Sequence, residues 1–178
     1  MVSSLLTILM LVNAVPGTNQ LNHPGIHQLA WEAHRGSLPV AKGDGTRPTW
    51  GPLVPRINSA LSRTVYGYSV YWATDEDLHF NLITNLACFS VDLNANGSLT
   101  NSYGFPSYWA WDIVHAHKNG VKVDLVVDCF SSSDIHSAIT TNATASINNI
   151  VNMVTSAGID GLNIDFEGVN GSDRANLT

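Results

Sequence analysis

Four runs rich in β-branched and aromatic residues, with helical periodicity between the later ones, constrain this chain more than any other feature. The first is TVYGYSVYW at 64–72, and the second lies within NLITNLACFSVDL at 81–93. The third is VKVDLVVDCF at 121–130, and the fourth is GIDGLNIDFEG at 158–168. Before the third strand, FPSYWAWDIVHAHKNG (105–120) ends in helical spacing with a glycine stop. Before the fourth, TNATASINNIVNMVTSAG (141–158) places Ile147, Ile150, Val151 and Val154 at helical spacing, again closed by glycine. Strands alternating with helices of this length are βαβ units, which build an α/β parallel sheet. About four units are present; an open doubly wound sheet can be built from so few, whereas a (β/α)8 barrel closes with eight and roughly 250 residues. The chain stops at Thr178, where another helix would begin. The expectation is therefore the first half of a longer α/β domain, occupying 62–178.

What precedes that domain reads differently. Residues 15–61 are rich in Gly, Pro, Asn and His without sustained periodicity, as in GTRPTWGPLVP at 45–55, and are expected to form a linker or an arm lying over the domain. Within it His23, His27 and His34 are expected to be solvated. Residues 1–14 carry an apolar run from Leu5 to Val12 followed by Asn13 and Ala14, the pattern of a secretory signal, although no Lys or Arg precedes it. That run is far short of the about 20 residues a membrane-spanning helix needs. Export without a membrane span is the expectation. The net charge of −6, with 8 Lys plus Arg and no basic cluster, excludes a nucleic-acid phosphate surface and favours an uncharged polymer or small molecule as partner. Cys88 and Cys129 fall in apolar strands and are expected as buried thiols, with a bridge between neighbouring strands as the lesser alternative.

The fourth strand carries an anomaly, because a strand with a buried face does not collect carboxylates without something to offset their desolvation. Alternation puts Leu162, Ile164 and Phe166 on one face and Asn163, Asp165 and Glu167 on the other. The third strand divides alike, with Val123, Leu125 and Val127 opposite Lys122, Asp124, Val126 and Asp128. The apolar faces suit covering helices. The acidic faces then look into one lumen, toward the carboxyl ends of the strands where α/β enzymes place their sites. Carboxylates two residues apart on a strand are separated by roughly 6.5 Å along the backbone, so one of the pair has its pKa raised and holds a proton. A protonated acid beside an ionised partner suits glycosidic cleavage, in which the leaving oxygen takes a proton while positive charge grows on the sugar.

On these residues the chain resembles glycoside hydrolase family 18, the chitinase-like TIM barrels. Asp160-x-x-Asn163-x-Asp165-x-Glu167 is similar to that family's DxxDxDxE signature and falls on the fourth strand, where the family carries it. The resemblance implies a substrate-assisted retaining mechanism, an exception to two-carboxylate hydrolysis. Glu167 would protonate the glycosidic oxygen, Asp165 would orient the substrate's N-acetyl group, and Asp160 and Asn163 would support them. Tyr68 in VYGYSVYW, Phe89 in CFS and Asp128 would meet the sugar. The implied partner is a glycan containing N-acetylglucosamine, chitin or a peptidoglycan-like polymer; no cofactor is implied.

Two departures from the family pattern stand out. Asn163 occupies the position of an Asp, and Asp124 or Asp128, sharing its lumen-facing parity, is expected to supply the missing charge. Val126-Val127-Asp128-Cys129 stands where the family shows Ser-x-Gly-Gly, which leaves the substrate class open. The family's later Tyr and Trp would lie beyond Thr178, so the isolated chain is expected to be inactive and unstable, half a barrel with open edges. A non-catalytic chitinase-like lectin is the competing reading, though such relatives commonly lose the acid. A metal site is not expected, since Asp, Asn, Asp and Glu here lack the spacing of a calcium loop, and His115 and His117 face different directions on their helix.

Overall fold

The structure, a computed structural model, describes residues 24–39, 63–73 and 78–177. The expected secretory signal and residues 15–23 and 40–61 of the expected arm lie outside the described residues. Four strands, β1 (Tyr66–Val70), β2 (Asn85–Leu93), β4 (Lys122–Cys129) and β5 (Gly161–Phe166), pair in parallel in the order β1-β2-β4-β5. The two-residue strand β3 (Leu99–Thr100) pairs antiparallel with the outer end of β2. Each parallel strand lies within one of the four apolar runs, so the α/β class and the parallel sheet follow from hydrophobic patterning.

The helices match their sequence signals to different degrees. A 3-10 turn, Ser107–Trp109, leads into α2 (Ala110–Lys118). Trp109 is fully buried, and its indole N–H donates to Ser69 Oγ at 2.9 Å, tying α2 to β1. Helix α4 (Ala143–Ala157) ends on Gly158 in the left-handed region (φ +66°), the conformation that closes a helix at least cost with glycine. Its buried stripe is Ser146, Ile150 and Val154, whereas Ile147 and Val151 are exposed. Ser146 sits in the stripe because its hydroxyl donates to Ala138 O at 2.8 Å, where the preceding helix would otherwise leave a carbonyl unanswered. Helix α3 (Ser132–Ile139) buries Ile135 and Ala138, and the SSSD stretch marks its start: Ser131 Oγ accepts from Asp134 N.

The sheet separates two apolar layers, as the strand parity requires. Leu86, Cys88, Val91, Val123, Leu125, Val127 and Leu162 pack beneath α2, α3 and α4. Ile164 and Phe166 lie against the same layer, half-buried. On the opposite, inner face, Ala87, Phe89 and Val126 form a second cluster with Tyr66, Val70, Trp72, Phe130 and Trp31. Cys88 and Cys129 are buried without a disulfide between them.

Trp31 belongs to the largest departure from the sequence expectation. Residues Ile26–His34 form helix α1, laid over the inner face of the sheet. Its nine residues follow Gly25, which offers no side chain to cap the helix, so the usual start signal is missing. What holds it is tertiary: Tyr71 Oη donates to His34 O at 3.0 Å, and the His34 ring stacks on Trp72 at 4.5 Å. Among the described residues no helix is long and apolar enough to cross a membrane.

Candidate active site

The inner face is organised in levels set by the register of the parallel strands. At the lowest, Tyr68, Ala87, Asp124 and Gly161 lie side by side. Asn85 Nδ2 donates to Asp124 Oδ2 at 2.8 Å. A Cβ on Gly161 would collide with Asp124 Oδ1, so the glycine makes room for that carboxylate. One level up, Val126 is beside Asn163. At the top, Asp92, Asp128 and Asp165 form a row across three neighbouring strands. A bulge makes the row possible: the β2–β4 register slips between Cys88 and Val91, and the extra residue brings Asp92 level with Asp128. Glu167 follows β5, its N–H donating to Cys129 O at 3.2 Å.

Neighbouring strands lie only about 4.8 Å apart, so this row concentrates negative charge. Asp128 is 1% exposed and accepts from Ser90 Oγ at 2.5 Å. Burial, reinforced by the charge of Asp92, pushes the Asp128 carboxyl up to about 8. Burial raises Asp92 as well, against the hydrogen bonds it accepts from Asn101 Nδ2 (2.7 Å) and Trp31 Nε1 (3.3 Å). Near neutrality Asp128 therefore holds a proton. Glu167 is raised too, first by burial and then by the charge of Asp165, while the N–H of Gln28, donating to Glu167 Oε2 at 3.1 Å, opposes the rise. An acid biased toward its protonated form stands next to a second carboxylate, the pairing proton transfer to a leaving group asks for.

The structure brings together only some of the residues singled out from sequence. Asp165 and Glu167 meet at the carboxyl end of β5, where they share His27 as a neighbour. Asn163 lies one level lower, its amide donating to Tyr68 Oη at 3.1 Å. Tyr68, 39% exposed, and buried Phe89 face each other at 6.5 Å between ring centroids. Asp160 is placed elsewhere. It precedes β5, accepting at Oδ2 from Val123 N (2.8 Å) and lying 2.7 Å from His117 Nε2, so it pins the start of β5 to β4 and α2. Seven residues of near-extended chain, roughly 23 Å, separate it from Glu167, too far for a supporting contact.

Asp128 is buried. It lies beneath the site against Ser90 and Asp92 and presents no open surface while α1 is seated. Because it holds a proton near neutrality, it does not replace the charge missing at Asn163 either. Asp124 lies a level below Asn163 and is engaged by Asn85.

Sequence reasoning missed Asp92 and the helical form of the arm at Ile26–His34. Asp92 was legible in the alternation of SVDL, but the bulge hides its parity. His27, expected to be solvated, lies with Nδ1 3.0 Å from Asp165 Oδ2, and that hydrogen bond raises its pKa. Its ring sits 5.2 Å from Tyr68 and 5.9 Å from Phe89. Donor atoms of His27, Asp165 and Glu167 all lie within 4.8 Å of one another, the one group among the described residues with the spacing to hold a metal ion. In the structure the His27–Asp165 hydrogen bond and the Gln28 N–H occupy those atoms. On the outer side, His115 stacks on Trp111 and His117 meets Asp160, so the two do point apart.

The chain matches no model of a known protein family and no curated protein. Solved structures do match. A chitinase from Rhizomucor miehei superposes with a TM-score of 0.56 at 19% identity, over 65% of this chain and 40% of that one. A chitinase from Bacteroides thetaiotaomicron gives 0.53 at 22% identity, over 64% of this chain and 39% of that one. The spore cortex-lytic enzyme SleL of Bacillus cereus gives 0.50 at 20% identity, over 63% and 29%. The chain thus spans 29 to 40% of the length of these structures. The likeness establishes the fold: the sheet and its helices are those of part of a chitinase-like TIM barrel.

Proposed function

We propose that this chain is the acid-bearing part of a family 18-type glycoside hydrolase acting on β-linked N-acetylglucosamine glycans. One observation carries the reading: Glu167, held toward its protonated form by burial, stands beside Asp165 at the carboxyl end of β5 in a chitinase-like barrel segment. Glu167 donates its proton to the glycosidic oxygen as the bond to the anomeric carbon breaks. Asp165 accepts a hydrogen bond from the acetamido N–H of the same sugar. That bond turns the acetamido carbonyl oxygen onto the anomeric carbon, which it attacks to form an oxazolinium ion. Water then opens the ring as Glu167, now ionised, takes a proton from it, and the anomeric configuration is retained.

Asn163 and Tyr68, bonded to each other below this pair, form the floor on which the N-acetyl group rests. The polymer is chitin or a peptidoglycan-like glycan outside the cell, in keeping with the signal-like residues 1–14 and the net charge of −6. Among the described residues β1 and β5 are the outer strands of the parallel sheet, and the carboxylate pair stands at the carboxyl end of β5. The experiment is turnover of a chitooligosaccharide by the full-length protein and its Glu167→Gln variant. Loss of turnover with binding retained supports hydrolysis, whereas a wild type that binds and never cleaves supports a lectin.

A further inference from the structure

Glu167, Asp165, Tyr68 and Phe89, which the proposed chemistry exposes to sugar, are all contacted by one element of the chain itself. The N-terminus of α1 points at Glu167. Gln28 N donates to its carboxylate, and the Gly25 backbone comes so near Oε2 that a Cβ there would displace the carboxylate. One residue before Gln28, His27 Nδ1 meets Asp165 Oδ2, on the carboxylate that would receive an acetamido N–H. The His27 ring lies against Tyr68 and Phe89, the two aromatic side chains expected to meet sugar. Trp31 reaches past them to Asp92 and rests against Phe130 at 5.4 Å.

We propose that α1 is an occluding segment, which fills the carboxylate mouth by imitating the polar and ring contacts of a glycan and must withdraw before one enters. This rests on the proposed function only in naming the glycan as the competitor. The helix is built to leave. None of its residues is fully buried, and Ile26 and Leu29 remain 77% and 50% exposed. A nine-residue helix is marginal in water without tertiary support, so withdrawal gives up little intrinsic helix stability. Apparent glycan affinity is then the intrinsic affinity multiplied by the fraction of molecules in which the mouth is open.

The test reads the mouth first without glycan and then with it. In the wild type, a water-soluble carbodiimide with an amine probe should label Glu167 slowly, as followed by peptide mass spectrometry. His27→Ala and Trp31→Ala should each raise that rate about tenfold, the shift expected when one charge-assisted hydrogen bond or one anchoring ring is removed. Fully buried Asp112 serves as the internal control, and a variant that labels there has lost its fold and is read through the other. Equal Glu167 rates in wild type and folded variants would overturn the proposal.

The second measurement needs no variant: hydrogen exchange over residues 26–34 of the wild type with an N-acetylglucosamine tetramer added. Faster exchange is expected, because the glycan displaces the helix. Slower exchange would overturn the proposal, since α1 would then be part of the binding surface. A tetramer without effect, combined with faster labelling in the variants, would leave the occluding helix standing and reject the glycan reading.

Discussion

Asn163 Nδ2 donates to Tyr68 Oη at 3.1 Å, joining β5 to β1 although these strands stand at opposite ends of the sheet order. A flat sheet would hold them three strand spacings, roughly 14 Å, apart at the backbone. The side-chain bond across the concave face therefore reports the curvature of a barrel wall, and it assigns Asn163 a neutral donor role that a carboxylate cannot fill. Replacing it with Asp would exchange that donor for another anion on the face that carries Asp165 and Glu167. The expected outcome for Asn163→Asp is an alkaline limb of the pH–rate profile displaced to higher pH, since added negative charge keeps Glu167 protonated longer. Asn163→Leu should lower stability by about 1 kcal/mol in denaturant titration, the usual worth of a lost hydrogen bond.

The row Asp92-Asp128-Asp165 makes stability depend on pH with a definite sign. Asp128 is raised in the folded state from an ordinary carboxylate value to about 8, so the folded protein binds a proton there that the unfolded chain has released. Stability must then fall as pH rises from about 4 to about 8. His27, also raised, acts in the same direction: its contribution is present below its unfolded value near 6.5 and is lost as pH rises through its folded value. Melting temperatures measured from about pH 5 to about pH 8 should decline, and Asp128→Asn, neutral throughout, should flatten most of that decline. An unchanged slope in the variant would show that Asp128 does not hold the proton.

Asp160 is expected to act on the fold rather than on the chemistry. Asp160→Ala removes the partner of Val123 N and His117 at the amino end of β5. It should cost about 1–3 kcal/mol of stability while changing kcat at saturating substrate less than about twofold. A large loss of kcat in a fully folded variant would return Asp160 to the site.

Gly161 tests the lowest level. Gly161→Ala drives a methyl group into Asp124 Oδ1, so that Asp124 has to move away from Asn85. Destabilisation of about 1–3 kcal/mol is expected, as for other overpacked interiors, and thermal unfolding reads it.

The parallel sheet was legible in sequence because its strands are buried on the helix side, and burial forces the alternation seen at Val123-Leu125-Val127 and Leu162-Ile164-Phe166. The inner-face placement of Asp165 was legible for the same reason, since alternation assigns it to the face opposite Leu162, Ile164 and Phe166. Position along the strand was not. Parity tells which face Asp160 and Glu167 occupy but not that one precedes the strand and the other follows its end. Asp92 was hidden by a bulge, a local backbone event with no strong sequence mark. Helix α1 was hidden because it lacks a cap and a buried stripe, and its position is set by contacts with residues as distant as Asp165.

Turnover by the full-length protein tests most directly whether Glu167 is the acid of a retaining glycosidase. Wild type should cleave an N-acetylglucosamine oligomer with the first product released as the β-anomer. Glu167→Gln should lose about 10²–10⁴ in kcat while still binding the oligomer. A Glu167→Gln variant as active as wild type, or a wild type that binds without cleaving, would contradict that role.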